Sequence, residues 1–522
     1  MKMDLGFSMS SQTITTLIIV FVIYSIIVVG LGAYVKYSQK GLSEENKLKN
    51  FLTGGGSLGP LSVAMLTFTG MLSAGGAVGG PGTGYSVGFT WSLSVWAGFI
   101  FGCLMPFTIG KKIAILAKRT KAVSLISLFR HRFGNSKFYA ILLAVVFTIF
   151  LGAMTVGQFA GGGKLFAVLT GTGNTKLGVV IFALVTVIYT LTGGIKSISK
   201  VAVVQGFVMV ITVVMMYVGV LNKTADTYGS VQGLMEYLAE VNPKLVVAET
   251  WQPLYMGGTA LLMGWCMLAM PTGLVGGLTY NKSKAVLRGG VICIICATVY
   301  QFIMSGMGPF TFGLSQTLTS GDYATAFTAV EVLPDALAGL VIAGAASSIQ
   351  STIATLLIIV TGGIVVDVYK SIINPQVEDK KLNKLNTAIT LIFGVICMII
   401  ALKPTQYVQL FINFTAGGMC SALIWPILFG FYNKRANKEA AIASTLGGAI
   451  TYGALYFAQN LVPSFKAWWA ISAGNIHPVV PGVIVSLIFM LVFTYFGKPV
   501  EKGRLQVWFC KDYDEEWSRI GK

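Results

Sequence analysis

Apolar stretches long enough to cross a lipid bilayer recur from Thr13 to Phe496, and short polar connections separate them. A membrane-spanning helix needs about 20 predominantly apolar residues, because the hydrocarbon core of a bilayer is about 30 Å thick. The pattern predicts thirteen such helices, called segments one to thirteen in chain order. They are 13–35, 59–83, 88–109, 137–170, 177–194, 200–221, 252–276, 286–312, 333–366, 386–402, 406–432, 438–458 and 475–497.

Segment one is too long for the apolar core of a signal peptide and lacks a small-residue cleavage site, so we expect it to be retained. The connection 110–133 is strongly basic, and we expect it to form short amphipathic helices on the membrane surface. The connection 222–251 is polar, and its pattern predicts a short surface helix over the mouth of the protein. No stretch has the pattern of a soluble domain, so one membrane domain is expected.

Glycines interrupt two of the segments. Segment two reads GPLSVAMLTFTGMLSAGGAVGGPGTG, and segment seven reads MGGTALLMGWCMLAMPTGLVGG. A break at membrane depth leaves backbone groups unpaired, so it persists only beside a cavity or a ligand. The two segments are five apart in helix order, as an inverted five-plus-five repeat requires if each half opens with a broken helix. The alternative is that these glycines serve close helix packing.

The composition agrees with a membrane protein. The chain is 55% hydrophobic and 11% charged, whereas a soluble protein has about 25% charged residues. If the N-terminus lies outside, all but seven of the 37 Lys and Arg residues face the cytoplasm. This asymmetry is the positive-inside rule, and it predicts a multi-pass protein of the inner (plasma) membrane with its C-terminus in the cytoplasm. The net charge of +18 therefore reflects topology, and nucleic acid is not an expected partner.

Ionisable side chains are scarce inside the predicted segments. None of the 19 Asp and Glu residues falls in the middle of a segment, and the two histidines, His131 and His477, lie near membrane surfaces. An intramembrane hydrolase, a metalloprotease or a proton pump built on buried acids would lack its side chains. Lys164 is near the outer end of segment four, and we expect it to snorkel to the interface rather than to act as a counter-ion. Neither enzymatic activity nor a cofactor is expected.

Any cation bound inside the membrane would then be held by neutral oxygens. In segment nine, Ser348, Ser351 and Thr352 stand at i, i+3 and i+4 and therefore share one helix face. Their oxygens, together with carbonyls freed in a broken partner helix, would suit Na⁺. The alternative is that these hydroxyls only bond to carbonyls one turn back and allow close packing.

Several stretches resemble those of a known family. They are FLTGGGSLGP (51–60), AVGGPGTGYSVGFTW (77–91), GKKIAILAKRTKAVSL (110–125), LTGGIKS (191–197), YNKSKAVLRG (280–289), SSIQSTIATLL (347–357), VDVYK (366–370), WPILFGFYNKRANKEA (425–440) and HPVVPG (477–482). On these stretches the chain resembles the sodium:solute symporter family from about Phe51 to Gly497. Within that family it is most similar to the sodium/pantothenate symporters.

The resemblance implies an all-α, LeuT-type fold with a five-plus-five inverted repeat. It further implies an extra helix at 13–35, a first repeat at 59–221 and a second repeat at 252–432. Two additional helices would follow at 438–497, and 498–522 would be a cytoplasmic tail.

The resemblance also implies the site residues. One sodium ion would bind between segments two and nine, held by the carbonyls of Thr69, Leu72 and Ser348 and the hydroxyls of Ser351 and Thr352. The solute would bind beside the break in segment two. The residues implied there are Ser73, Gly75, Trp265 and Thr272.

The implied activity is sodium-coupled uptake of a small organic solute, pantothenate or another small carboxylate, by alternating access. The implied partners are this solute, the sodium ion and the lipid bilayer, with no obligatory protein partner. At the positions where pantothenate carriers have a His and an Arg in segment seven, this chain has Thr272 and Gly276. A facilitator of the same fold, uncoupled or differently coupled, is the alternative.

Overall fold

A computed structural model describes residues 5–38, 40–103, 105–246, 253–280, 283–403 and 407–509. Nearly all regular structure in these ranges is helical, and one isolated bridge joins Leu58 to Tyr280. The α-helices are α1 (Ser11–Tyr37), α2 (Glu44–Thr53), α3 (Pro60–Met71), α4 (Gly80–Val87), α5 (Phe89–Cys103), α6 (Lys111–Thr120), α7 (Leu125–Arg132), α8 (Lys137–Leu169), α9 (Thr175–Tyr228), α10 (Val231–Val241), α11 (Pro253–Met263), α12 (Pro271–Leu274), α13 (Gly276–Thr279), α14 (Ser283–Leu314), α15 (Ala324–Val332), α16 (Asp335–Gly362), α17 (Asp379–Ala401), α18 (Gln409–Tyr432), α19 (Lys438–Leu461), α20 (Pro463–Ser472), α21 (Val479–Phe496) and α22 (Lys502–Phe509).

Tighter and wider helical turns connect some of these helices. The 3₁₀ turns are Gly54–Gly56, Pro243–Leu245, Trp265–Ala269 and Gly321–Tyr323. The π-helical stretches are Gly75–Gly79, Pro106–Gly110 and Gly363–Ile373.

The described helices include ten that are long and apolar enough to cross a membrane, or eleven with the bent pair α3 and Gly75–Val87. The two remaining predicted segments coincide with shorter helices, α5 and the Thr175–Ile188 part of α9. The predicted all-helical membrane architecture is therefore confirmed, although segments three and five are shorter than a simple span and segment seven is less regular.

Burial separates the centre of the bundle from its periphery. In the span Asp335–Ile373, which contains α16, 89% of the most apolar part is buried. The corresponding share is 17% in α1 and 22% in α21. The apolar side chains of α1 and α21 thus face outward, as contact with lipid tails requires. Helix α16, which carries the three hydroxyl residues of segment nine, is surrounded by protein.

Predicted segments five and six form one element, α9, which is broken by Gly194. Gly194 has φ 60° and ψ −158°, and a Cβ atom there would lie 2.3 Å from the Cα atom of Phe51. Both the backbone conformation and the close approach of α2 therefore require glycine at this position.

The two long connections contain short helices, as predicted. In α6 the apolar residues Ile113 and Leu116 are buried, whereas the side chains of Lys111 and Lys118 are exposed. In α10 the buried residues are Leu234 and Leu238, while most of the helix is exposed. The part of the connection at 247–252 lies outside the described residues, as do 510–522 of the predicted tail.

Candidate functional site

The predicted break in segment two is present. Helix α3 ends at Met71, Leu72 has extended backbone angles (φ −85°, ψ 96°), and helical structure resumes at Gly75 with a bend of 59°. The side chain of Gln158 on α8 satisfies one freed amide, because its Oε1 atom accepts a hydrogen bond from the Ala74 amide at 2.6 Å. A polar side chain from a neighbouring helix thus compensates part of the cost of breaking the helix at membrane depth.

Helix α16 meets this break with the hydroxyl face predicted from the sequence. The Ser351 Oγ and Thr352 Oγ1 atoms donate hydrogen bonds to the Thr69 carbonyl, at 2.9 and 3.2 Å. The same two hydroxyls also lie 3.2 and 2.7 Å from the carbonyl oxygen of Ser348. The structure therefore brings together four of the five predicted sodium ligands.

These atoms are sealed from solvent and carry no net charge. The side chains of Thr69, Ser348, Ser351 and Thr352 have no exposed surface. The Thr69 Oγ1 atom is buried without a hydrogen-bond partner, so a further neutral oxygen is present. A hydroxyl oxygen has two lone pairs and can therefore coordinate a cation. The hydroxyls of Ser351 and Thr352 could rotate away from the carbonyls, and hydroxyls and carbonyls could then bind the same cation. Leu72, the fifth predicted ligand, is the residue at which helical geometry stops.

A cavity of about 40 Å³ lies beside the break. Three of the four predicted solute-binding residues line it, namely Ser73, Gly75 and Thr272. Trp265, the fourth, does not line the cavity, and 38% of its surface is exposed. Helix α11 ends at Met263, and a non-helical Gly264 precedes the 3₁₀ turn on which Trp265 lies. The interruption of segment seven, which the sequence predicted, thus directs this indole away from the cavity.

Glycine in segment seven also serves close packing. A Cβ atom on Gly264 would lie 2.1 Å from the carbonyl oxygen of Gly98 on α5, so the two backbones touch. Past the 3₁₀ turn, Met270 is extended and two short helices, α12 and α13, complete the segment. Both alternatives weighed for these glycines therefore apply to segment seven.

The sequence reasoning missed two amides that line the cavity, Gln301 and Gln409. The Gln409 Nε2 atom donates to the Asn413 side chain at 2.8 Å, while its Oε1 atom is buried without a partner. Each of these amides stands in an otherwise apolar stretch, and this was the feature of the sequence that could have indicated a role in binding. The other lining residues are apolar or small: Met71, Leu72, Gly76, Trp91, Val95, Phe99, Met154, Met263, Met267, Met270, Ile412 and Ala416.

The prediction that Lys164 snorkels to the interface is wrong. Its Nζ atom forms an ion pair at 2.5 Å with Asp322, which the sequence placed in a connection and which is 1% exposed. The Val408 amide also donates to this carboxylate, at 3.1 Å. Lys164 is on α8, Asp322 is in the turn before α15, and Val408 immediately precedes α18. Tertiary contact between three separate parts of the chain thus creates a counter-ion that no local pattern indicates.

The sodium:solute symporter family model matches residues 51–448. The sodium/pantothenate symporter of Escherichia coli (strain K12) is 29% identical, over 93% of this chain and 98% of the relative. The osmoregulated proline transporter of Bacillus subtilis (strain 168) is 24% identical, over 88% and 94%.

Solved structures are similar across most of their length. A Na⁺-coupled sialic acid symporter in a substrate-bound, outward-open state matches with a TM-score of 0.71 and 17% identity, over 96% of this chain and all of that chain. MhsT in complex with L-phenylalanine matches with a TM-score of 0.53 and 13% identity, over 84% and 98%. These likenesses show that the fold is of the LeuT type.

Proposed function

This chain belongs to the sodium:solute symporter family, and we propose that it takes up a small organic carboxylate of the pantothenate class together with sodium. One observation carries the proposal: the Ser351 and Thr352 hydroxyls meet the Thr69 carbonyl where α3 breaks, next to a cavity. An ion and a solute bound there would share one interrupted helix, so each would influence the binding of the other.

The sodium ion would be coordinated by the carbonyls of Thr69, Leu72 and Ser348 and by the hydroxyls of Ser351 and Thr352. Neutral oxygens fit a monovalent cation, because the complex then carries a single charge that nearby dipoles can stabilise. The ion would replace the hydrogen bonds that now join these hydroxyls to Thr69. Binding would therefore tighten the contact between α16 and the end of α3.

The solute would occupy the cavity between Ser73, Gly75 and Thr272, with Gln409 as a further ligand. No Lys, Arg or His is among the described residues that line the cavity. We therefore propose that the carboxylate is bound without a cationic side chain. The helix Gly75–Val87 starts at the break, and the positive end of its dipole would supply that role. The unpartnered Gln409 Oε1 atom would accept a hydrogen bond from a hydroxyl or amide of the solute.

The size of the cavity supports alternating access as the mechanism. A volume of about 40 Å³ holds only a few water molecules, since each needs roughly 10–15 Å³ of this kind of space. A pantothenate-sized solute would enter only if the surrounding helices move apart. We propose that the moving units are the two inverted repeats, 59–221 and 252–432, with 13–35 and 438–497 as additional helices.

Uptake into proteoliposomes tests the proposal. Labelled pantothenate and a panel of small carboxylates should accumulate with an inward Na⁺ gradient, and this accumulation should stop when the gradient is removed. The facilitator alternative expects equal uptake with and without the gradient. Accumulation of proline but no carboxylate would reject the solute class while leaving sodium coupling intact.

We expect Ser351→Ala and Thr352→Ala to raise the Na⁺ concentration for half-maximal uptake about 5–150-fold each. Leaving a charged group short of one partner costs about 1–3 kcal/mol, which corresponds to that range. High Na⁺ should restore part of the uptake, because mass action refills a weakened site, and Thr352→Ser should be mild.

Thr361→Ala is the matched control for these variants. Thr361 is on the same helix, and its hydroxyl makes the same kind of bond, to the Leu357 carbonyl at 2.7 Å, nine residues beyond Thr352. Its Na⁺ dependence should equal that of the wild type. An unchanged Na⁺ dependence in both site variants would remove the sodium assignment.

We propose that the N-terminus lies outside the cell and the C-terminus in the cytoplasm, because all but seven of the 37 Lys and Arg residues then face inward. A fluorescent protein fused to the C-terminus should be bright, and alkaline phosphatase fused at the same position should be inactive. Fusions within the connection 222–251 should behave in the opposite way. The reverse result at both positions would overturn the orientation.

A further inference from the structure

A groove of about 770 Å³ opens between α1, α2 and α17, and none of the residues that line it belongs to the candidate ion or solute site. Three lysines line it: Lys36 in the last turn of α1, Lys40 shortly after α1, and Lys47 on α2. The opening is therefore at the end of the bundle where basic residues concentrate. No role in the proposed transport reaction uses this groove.

The charge balance in the groove favours an anion. Glu44 is the acidic residue among the described lining residues, and it already accepts hydrogen bonds from Lys47 at 2.7 Å and from Asn383 at 2.8 Å. Lys36 and Lys40 remain as excess positive charge. The Lys40 ammonium group is 4.3 Å from the centre of the Tyr37 ring, a contact that leaves its charge available.

The floor of the groove contains a polar atom that lacks a partner. Asn386 on α17 is 3% exposed, and its Oδ1 atom is buried without a hydrogen bond. An amide oxygen can only accept, so this atom favours a ligand that carries a hydroxyl as well as a negative charge. An anion without a hydrogen-bond donor would leave it unsatisfied.

The groove continues into an apolar track along the membrane-facing helices. On α1 the groove residues Lys36 and Ala33 share a face with Val29 and Ile26, which are 40% and 66% exposed. The ten residue steps from Lys36 to Ile26 span about 15 Å, or half the hydrocarbon thickness. Across the groove, Thr387 is followed one turn later by Leu391, which is 41% exposed.

We propose that this groove is a binding site for an anionic phospholipid, phosphatidylglycerol. Its phosphate would bind at Lys36 and Lys40, a hydroxyl of its glycerol headgroup would donate to Asn386, and its acyl chains would lie against α1 and α17. A cation cluster that faces the end of an apolar track matches the two parts of such a lipid, and basic pockets between membrane helices are known to bind such headgroups.

The test is lipid binding to the purified full-length protein in detergent micelles, measured by native mass spectrometry with phosphatidylglycerol and with phosphatidylcholine. We expect phosphatidylglycerol to bind more tightly, and the double variant Lys36→Gln with Lys40→Gln to weaken it about 25-fold. Each lysine near an anionic headgroup contributes about 1 kcal/mol of binding free energy, which is roughly a fivefold change in affinity. Phosphatidylcholine binding should not change, and Asn386→Ala should weaken phosphatidylglycerol more than phosphatidic acid, which lacks the glycerol headgroup.

The matched control is Lys434→Gln with Arg435→Gln, which removes two exposed basic residues from the connection between α18 and α19. An equal loss of phosphatidylglycerol in both double variants would mean that general charge attraction is responsible, and the site would be rejected. If the protein bound the soluble headgroup glycerophosphoglycerol as tightly as phosphatidylglycerol, the groove would be a site for a soluble phosphate, and the lipid proposal would be rejected. Unchanged binding in the groove variant would also reject the proposal. Retained thermal stability shows that each variant is folded.

Discussion

A Lys164→Met variant is expected to lose about 3–5 kcal/mol of folding free energy, because the buried Asp322 carboxylate would then lack its cation. The pair is 2.5 Å long, and Asp322 is only 1% exposed, so water cannot take over from the lysine. The measurement is equilibrium unfolding of the purified protein in mixed micelles. Asp322→Asn alone should also destabilise the protein, since Lys164 would lose its anion.

The double variant Lys164→Met with Asp322→Asn should recover much of the lost stability, because no unpaired charge remains buried. Lys223→Met is the matched control. Lys223 pairs with Glu331 at 3.2 Å, but both side chains are about 40% exposed, so the loss should stay below about 1 kcal/mol. Equal effects of Lys164→Met and Lys223→Met would show that the buried pair does not stabilise the fold.

We expect Gly75→Leu to abolish uptake while leaving membrane insertion intact. A Cβ atom on Gly75 would already lie 3.0 Å from Ile412 and 3.2 Å from the Gln409 Oε1 atom. The rest of a leucine side chain would have to enter the cavity of about 40 Å³ that we assign to the solute. Ser73→Leu should act in the same way. The measurement is solute uptake, normalised to the amount of protein in the membrane.

Gly453→Leu is the control for this substitution, because Gly453 is on α19 and nothing lies within 4 Å of a Cβ atom there. It should retain uptake close to that of the wild type. Normal uptake by both Gly75→Leu and Ser73→Leu would indicate that the residues at the break serve packing alone.

The sequence alone determined the features that lipid imposes on a chain. A helix in the hydrocarbon core must be about 20 residues long and apolar, so each of the thirteen predicted segments contains helical structure. For the same reason, a run of glycines at membrane depth indicated a break, and α3 does end at Met71. Helical periodicity placed Ser348, Ser351 and Thr352 on one face. These inferences depend on spacing within one segment.

Only the tertiary structure decided which residues from different helices meet. Asp322 is in a short turn, and nothing near it in the chain indicates that Lys164 neutralises it. Gln301 and Gln409 line the cavity because α14 and α18 converge there, whereas Trp265 is turned away by a local 3₁₀ turn. Contacts across a bundle depend on helix rotation and tilt, which packing against neighbours sets and which the pattern of apolar residues in a single helix does not specify.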